Sequence, residues 1–276
     1  MQDRTILITG CSSGIGLDAA LTLKDRSYTV IPTARKIADV ERLRELGFPR
    51  AFLLDIQNRD SIGEAMAHLA PDESLHALIN NAWSGLPGAQ QDLSQEALRD
   101  QFDYVFGSIQ LTQQCLPLLQ RHPGRSHLIQ ISSVLGFTVL PFRGAYAGAK
   151  AAWEAHTEAL RMELSHLADN NLAVSVIQPG PIVTAFRRNS REVFNRLVTP
   201  GSQYAHCYKQ LLGRLDSEKP SPGALPAAAV TRAILHALQA RHPQPRYAVT
   251  TNTRLMQVVE TVLPTSLKER IKRKMF

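Results

Sequence analysis

Cysteine is scarce: 276 residues hold only Cys11, Cys115 and Cys207, odd in number and far apart. That excludes a disulfide framework and fits reduced thiols in a cytoplasmic compartment. No apolar run reaches the ~18 residues that a membrane span requires. The opening MQDRTILITG enters a strand pattern almost at once, so no signal peptide is expected. The nine histidines show no paired metal-ligand spacing, so no metal site is expected. Low-complexity blocks, linkers and repeats of about 20–50 residues are also missing.

What is present suffices for a core. At 44% apolar, the chain can bury one large domain over residues 1–276. Bases outnumber acids, 31 Lys and Arg against 24 Asp and Glu, a net charge of +7. The excess is local. Residues 267–276 hold five Lys/Arg and one Glu, and Arg187, Arg188 and Arg191 form a second cluster. No recognition motif or basic run interleaved with aromatics accompanies them, so nucleic acid is not an expected partner. Ser266-Leu267-Lys268-Glu269 reads as a capping box after Pro264 and predicts a short helix. Leu267, Ile271 and Met275 then share one stripe flanked by Lys268, Arg270, Lys272, Arg273 and Lys274. Such a tail, residues 265–276, either lies on an anionic membrane surface or packs on its own domain with its charges solvated.

Short β-rich runs at 4–9, 28–33, 50–55, 76–81, 126–132 and 172–178 alternate with helical patterns. The helices are expected at Ile15–Lys24, Val40–Leu46, Ser61–Leu69, Gln95–Gln120 and Ala145–Ala168. Several runs are apolar throughout, as for parallel strands covered on both faces. The alternation predicts an α/β fold, a doubly wound parallel sheet in three αβα layers of Rossmann type. Its cofactor-binding half is expected at about 1–125 and its catalytic half at about 126–250. Ligands bind outside the carboxyl ends of such strands, so the informative residues should follow them.

After the first strand comes Thr9-Gly10-Cys11-Ser12-Ser13-Gly14-Ile15-Gly16, opening a helix. Its glycines let backbone approach a pyrophosphate, and free N–H groups at the helix start favour an anion. The second strand ends Thr33-Ala34-Arg35-Lys36. A site for NAD normally puts an acid about twenty residues past the glycines. Here Arg35, 19 residues after Gly16, offers a planar cation suited to a 2′-phosphate. Further on, GAYAGAK at 144–150 sets a phenol and an amine one helical turn apart among Gly and Ala. An ammonium beside the phenol favours the phenolate, making Tyr146 an expected acid or base.

Together with LLDI (53–56), NNA (80–82), ISS (131–133) and PGPIVT (179–184), these motifs stand in order over residues 4–185. The chain thereby resembles the short-chain dehydrogenases/reductases. TARK, RGAYAGAK, ALRMEL and PGPIVTAF look most like the steroid, retinol and aldehyde oxidoreductase branch. The resemblance implies Tyr146 as acid in reduction and base in oxidation, with Lys150 on the nicotinamide ribose and lowering the Tyr146 pKa. It implies Ser133 on the substrate oxygen, with Ser132 the alternative register. Gly10, Ser12, Ser13, Gly14, Ile15 and Gly16 would form the cofactor loop. Asp55 would meet the adenine amine, and Asn80, Asn81 and Ala82 the adenosine ribose region or the central strand. Pro179, Gly180, Ile182 and Thr184 would line the nicotinamide amide.

Two positions depart from the pattern. Trp83 stands where the family has the Gly of N-N-A-G, and Tyr104 where it has a helix Asn that holds a water linking the lysine to solvent. With Tyr104 there, its hydroxyl is expected to reach toward the site and line the pocket. Trp83, Phe137, Phe142 and Phe186 are the other candidate substrate-lining residues, and residues 185–225 are the expected lid. The implied activity is NADP(H)-dependent interconversion of an apolar aldehyde or ketone with its alcohol. A catalytically weakened cofactor-binding sensor or interaction module is the alternative. The long helices at 95–120 and 145–168 imply a homodimer or homotetramer.

Overall fold

The computed structural model describes residues 4–70, 72–197 and 201–275. Residues 198–200 of the expected lid and Phe276 of the tail lie outside them.

The first half runs β1 (Thr5–Ile8), α1 (Gly14–Asp25), β2 (Thr29–Ala34), α2 (Ile37–Glu45), β3 (Phe52–Leu53), α3 (Arg59–Met66) and β4 (Ala77–Asn80). Then come α4 (Gln95–Gln120), β5 (Ser126–Ile131), α5 (Gly144–Leu164), β6 (Leu172–Gln178) and β7 (Ile182–Val183). The remainder is α6 (Phe186–Leu197), α7 (Ala205–Asp216), β8 (Leu225–Pro226), α8 (Ala228–Gln239), β9 (Arg246–Ala248), α9 (Thr251–Val262) and α10 (Thr265–Lys274).

Seven strands form one sheet in the order β3-β2-β1-β4-β5-β6-β9, parallel throughout. Alternation along each strand feeds two cores. Ile6 and Ile8 pack with Ala19, Leu23, Val230 and Ile234 on one face. Leu7 packs with Leu78, Leu111 and Leu128 on the other. The fold is the expected doubly wound sheet in a single domain. Strand order reverses between β1 and β4, and a crevice opens there at their carboxyl ends.

Three local expectations change. α5 stops at Leu164, four residues before Ala168. β9 was not expected; it is three residues long and exists through pairing with β6. α10 starts at Thr265 with Pro264 as its cap and no side-chain capping bond, so Ser266 lies inside the first turn and forms no capping box. The tail helix docks through cations: Lys272 donates to Glu260 at 2.6 Å, and Lys268 donates to the Glu260 carbonyl. Leu267 and Met275 are left exposed, while Ile271 is half-buried. Among the described residues no helix is long and apolar enough to cross a membrane.

In the region of the expected lid, α6 packs on α7, and β7 and β8 form a separate two-stranded ribbon. Phe194, Tyr208, Leu211 and Leu215 form its own small core, with Ala89 from the sheet side. Tyr208 fastens it by accepting from the Ala89 amide at 2.9 Å and donating to Asp92.

Candidate active site

A cleft of about 660 Å³ runs from the glycine loop, past the ends of β4 and β5, to the underside of the lid. At its first end Gly14 has φ +60°, a conformation side-chain-bearing residues rarely adopt. Gly16 does not reach the cleft: a Cβ there would stand 2.4 Å from the Gly10 carbonyl oxygen, so this glycine serves close packing of loop on helix. Asn81 donates to the carbonyls of Thr9 and Gly10 at 2.9 and 3.0 Å, bracing the loop. Asn80 instead bonds Thr112 and Gln130, both at 2.9 Å, inside the central strand layer. Ser13 makes no capping bond and the first turn of α1 carries no acid, so its N–H groups are available to an anion.

The end of the cleft beyond β2, where the resemblance would put the adenosine, is set by Arg35, Asp55 and Tyr104. Arg35 is exposed at the end of β2 and makes no ion pair with any described residue. Among the described residues the Tyr104 hydroxyl stands beside its side chain. Tyr104 therefore lines the cleft, but its hydroxyl serves this end and not the reacting end. Burial raises its pKa, with the charges of Arg35 and Asp55 acting beside it. Trp83 stacks on Tyr104 with ring centroids 5.4 Å apart, and its face receives Lys150 Nζ at 3.5 Å. The indole thus covers the amine where a glycine would leave open space.

At the reacting end, Tyr146 and Lys150 lie on one face of α5, both buried. Ser133 stands beside Tyr146 and draws its phenol pKa down, while its Oγ accepts from the Leu135 amide at 3.1 Å. Ser132 donates to Glu154 at 2.5 Å, so Ser133 is the serine of the phenol. Lys150 donates to the Ile131 carbonyl at 2.7 Å. Burial holds its pKa well below the usual lysine value, opposed by the charge of Glu154. The expected lowering of the phenol pKa by Lys150 finds no support in this site. Burial pushes Tyr146 up to about 12, and the groups drawing it down are Ser133 and Arg143, not Lys150. Lys150 itself faces the Ile131 carbonyl and the Trp83 indole.

Gly10, Ser12, Ser13, Gly14, Ile15, Arg35, Asp55, Asn81 and Ala82 all line this one cleft, as do Trp83, Tyr104, Ser133, Tyr146, Lys150, Pro179, Gly180, Ile182, Thr184 and Phe186. The expectations for Phe137 and Phe142 fail, since neither lines it. Phe142, at φ +60°, turns to the lid core and meets Tyr204 and Tyr208 edge-on at 5.4 and 6.0 Å. Phe186 sits 5.6 Å from the Tyr146 ring. Sequence reasoning missed Arg143, which lines the cleft beside Tyr146; its signal was a position three residues before the tyrosine.

The arrangement fits a nicotinamide dinucleotide: a helix N-terminus free for a pyrophosphate, a cation without an acid partner beyond β2, and a phenol with its serine at the far end. The short chain dehydrogenase family model matches residues 4–194. The uncharacterized oxidoreductase YbbO of Escherichia coli strain K12 is 35% identical over 98% of this chain and 94% of that protein. Human retinol dehydrogenase 8 is 34% identical over 66% of this chain and 60% of that protein. A short-chain dehydrogenase from Streptomyces avermitilis superposes with a TM-score of 0.74 at 25% identity, covering 94% of this chain and 93% of that one. The chain therefore belongs to the short-chain dehydrogenase/reductase family of oxidoreductases.

Proposed function

We propose that the protein is an NADP(H)-dependent oxidoreductase that interconverts an apolar aldehyde or ketone with its alcohol. The observation that carries this is the Ser133–Tyr146 pair at one end of a cleft whose other end holds Arg35 and the glycine loop. The likeness to retinol dehydrogenase 8 supports an apolar substrate, as do Leu140, Val183, Phe186 and Leu215 in the cleft wall. When bound, the reduced nicotinamide supplies the hydride. The α1 N-terminus would hold the pyrophosphate and Arg35 the 2′-phosphate. Tyr146, kept protonated by burial, donates its proton to the carbonyl oxygen as negative charge develops there. Ser133 orients that oxygen, and Arg143 stabilises the phenolate left behind.

The test is NADPH consumption by the purified protein with medium- and long-chain aldehydes, retinal and ketosteroids. Turnover of at least one of these is expected. Tight NADPH binding with no turnover of any would favour the second reading, a cofactor-binding sensor, which the Trp83 ring over Lys150 supports. Pairing of two chains through α4 and α5 belongs to the same proposal, because Phe106 and Met162 on these helices are 63% and 58% exposed; a monomer by light scattering at micromolar concentration would sink it. Contact of residues 265–276 with anionic membrane is likewise proposed, and equal liposome flotation with and without them would end it.

A further inference from the structure

Two arginines elsewhere in this half of the chain have acid partners. Arg191 meets Asp216 at 3.0 Å, and Arg246 meets Glu158 at 2.8 Å. Arg143 does not. It caps the start of α5, three residues before Tyr146, so the two stand on one turn and address the same stretch of cleft. Its side chain is half-buried in the cleft wall. Among the described residues it has no carboxylate partner and no side-chain hydrogen bond.

The groups whose charge acts on it are Tyr146, Arg187 and Arg214, two of them cations. Arg187 also lines the cleft, held by the carbonyls of Ser217 and Lys219 at 3.2 and 2.8 Å and by the Ser221 hydroxyl. Those acceptors are neutral, so they orient its charge without cancelling it. The acids in the cleft wall are Asp55, at the adenosine end, and Glu218 on the exposed rim. Burial lowers the Arg143 pKa to about 10, so the guanidinium is still charged at neutral pH. A partly desolvated guanidinium without a partner is unfavourable until an anion meets it. Its planar fork matches a carboxylate with two parallel hydrogen bonds. The free N–H groups at the start of α5 add to the positive potential.

We propose that Arg143 binds a carboxylate carried by the substrate, so that the preferred substrate is an oxo acid with an apolar body, or the matching hydroxy acid. This rests on the reading of the cleft as a reductase site and narrows its substrate class. The apolar wall takes the body, Tyr146 meets the carbonyl, and Arg143 fixes the acid end.

The experiment compares a series of oxo acids of increasing spacer length with their methyl esters, which match in shape but lack the charge. One charge-assisted bidentate contact corresponds to about a ten- to hundredfold advantage. At least one acid should therefore exceed its ester in kcat/KM by that factor. In Arg143→Met the ratio should fall to about one through KM, and Arg143→Lys should restore part of it. Any influence of Arg143 on Tyr146 itself falls on acid and ester alike, so the ratio isolates the contact. Equal loss for both in Arg143→Met, or no acid preferred in the native protein, would overturn the proposal. A second measurement needs no turnover: calorimetric binding of the saturated acids and their methyl esters, which carry no carbonyl, to the native protein with NADP+. If the acids bind no tighter than the esters, the carboxylate site is wrong whether or not the protein reduces anything. If they bind tighter but no oxo compound is reduced, the site stands and the reductase reading fails.

Discussion

At the adenosine end of the cleft the cations Arg35 and Lys36 stand in solvent, whereas at the reacting end Tyr146 and Lys150 are 7% and 1% exposed. An exposed charge is screened and acts mainly on what it touches. A buried one has its protonation rewritten by the surroundings. So the first end should select its ligand by direct contact, and the second should set which proton moves. Arg35 and Arg143 show the contrast within one residue type: Arg35 keeps a solvated fork beside a tyrosine hydroxyl, while Arg143 faces a cavity with cations for neighbours.

The largest effect expected from this division is at Tyr146. Tyr146→Phe removes the transferable proton but little volume, so turnover should fall by about 10²–10⁴-fold. NADPH affinity, measured by fluorescence titration, should hardly change, because the expected pyrophosphate and 2′-phosphate contacts lie at the other end and Lys150 is untouched. Comparable losses in both would mean that the two ends are not separable.

Next in size is pH dependence. With the phenol raised to about 12, Tyr146 is protonated throughout the neutral range. Reduction uses the protonated form and should be nearly flat between pH 6 and 9. Oxidation needs the phenolate and should rise about tenfold per pH unit, roughly a hundredfold from pH 7 to 9. A plateau in oxidation already below pH 8 would show that bound cofactor outweighs burial, and the buried end would lose its distinguishing property.

The same division explains what could be read in advance. The glycine loop, Ser133, Tyr146 and Lys150 were legible because each is tied to a strand end or helix turn by local spacing, and such spacing survives folding. The doubly wound parallel sheet followed from apolar runs alternating with helices. β9 was not legible, since Arg246, Tyr247 and Ala248 become a strand only by pairing with β6. Phe142 was misread because its positive φ turns it to Tyr204 and Tyr208, contacts some 60 residues away that no local pattern encodes. Arg143 was missed for a related reason: its surroundings depend on Arg187 and Arg214, whose charges reach it from segments some 44 and 71 residues away. The rise of the phenol pKa was not legible because Y-x-x-x-K records proximity but not burial.

At the exposed end, Arg35→Asp should exchange a favourable contact with a 2′-phosphate for repulsion. The NADPH preference over NADH should reverse, with each side of the change on the order of ten- to a hundredfold. Turnover at saturating cofactor should be much less affected. Equal affinity of the native protein for NADPH and NADH would remove the assigned role of Arg35.

The smallest effect falls on Tyr104, and it decides to which end that residue belongs. Its place in α4 suggested service to the reacting end, with a hydroxyl reaching toward the site and lining the pocket. Trp83 packs on both Tyr104 and Lys150 instead, and the hydroxyl meets Arg35. Tyr104→Phe keeps the ring that stacks on Trp83 and deletes only this hydrogen bond, so the indole and Lys150 should stay in place. A neutral hydroxyl bonded to an exposed cation contributes about 0.5–1.5 kcal/mol, and Arg35 without it samples more rotamers before meeting a phosphate. The expected result is NADPH binding weakened by roughly two- to tenfold, NADH binding unchanged, and kcat at saturating NADPH unchanged. A fall in kcat with NADPH affinity intact would return Tyr104 to the reacting end. Because NADH lacks the 2′-phosphate, it is the internal control: if both cofactors weaken together, the hydroxyl supports the pocket generally and not the orientation of Arg35.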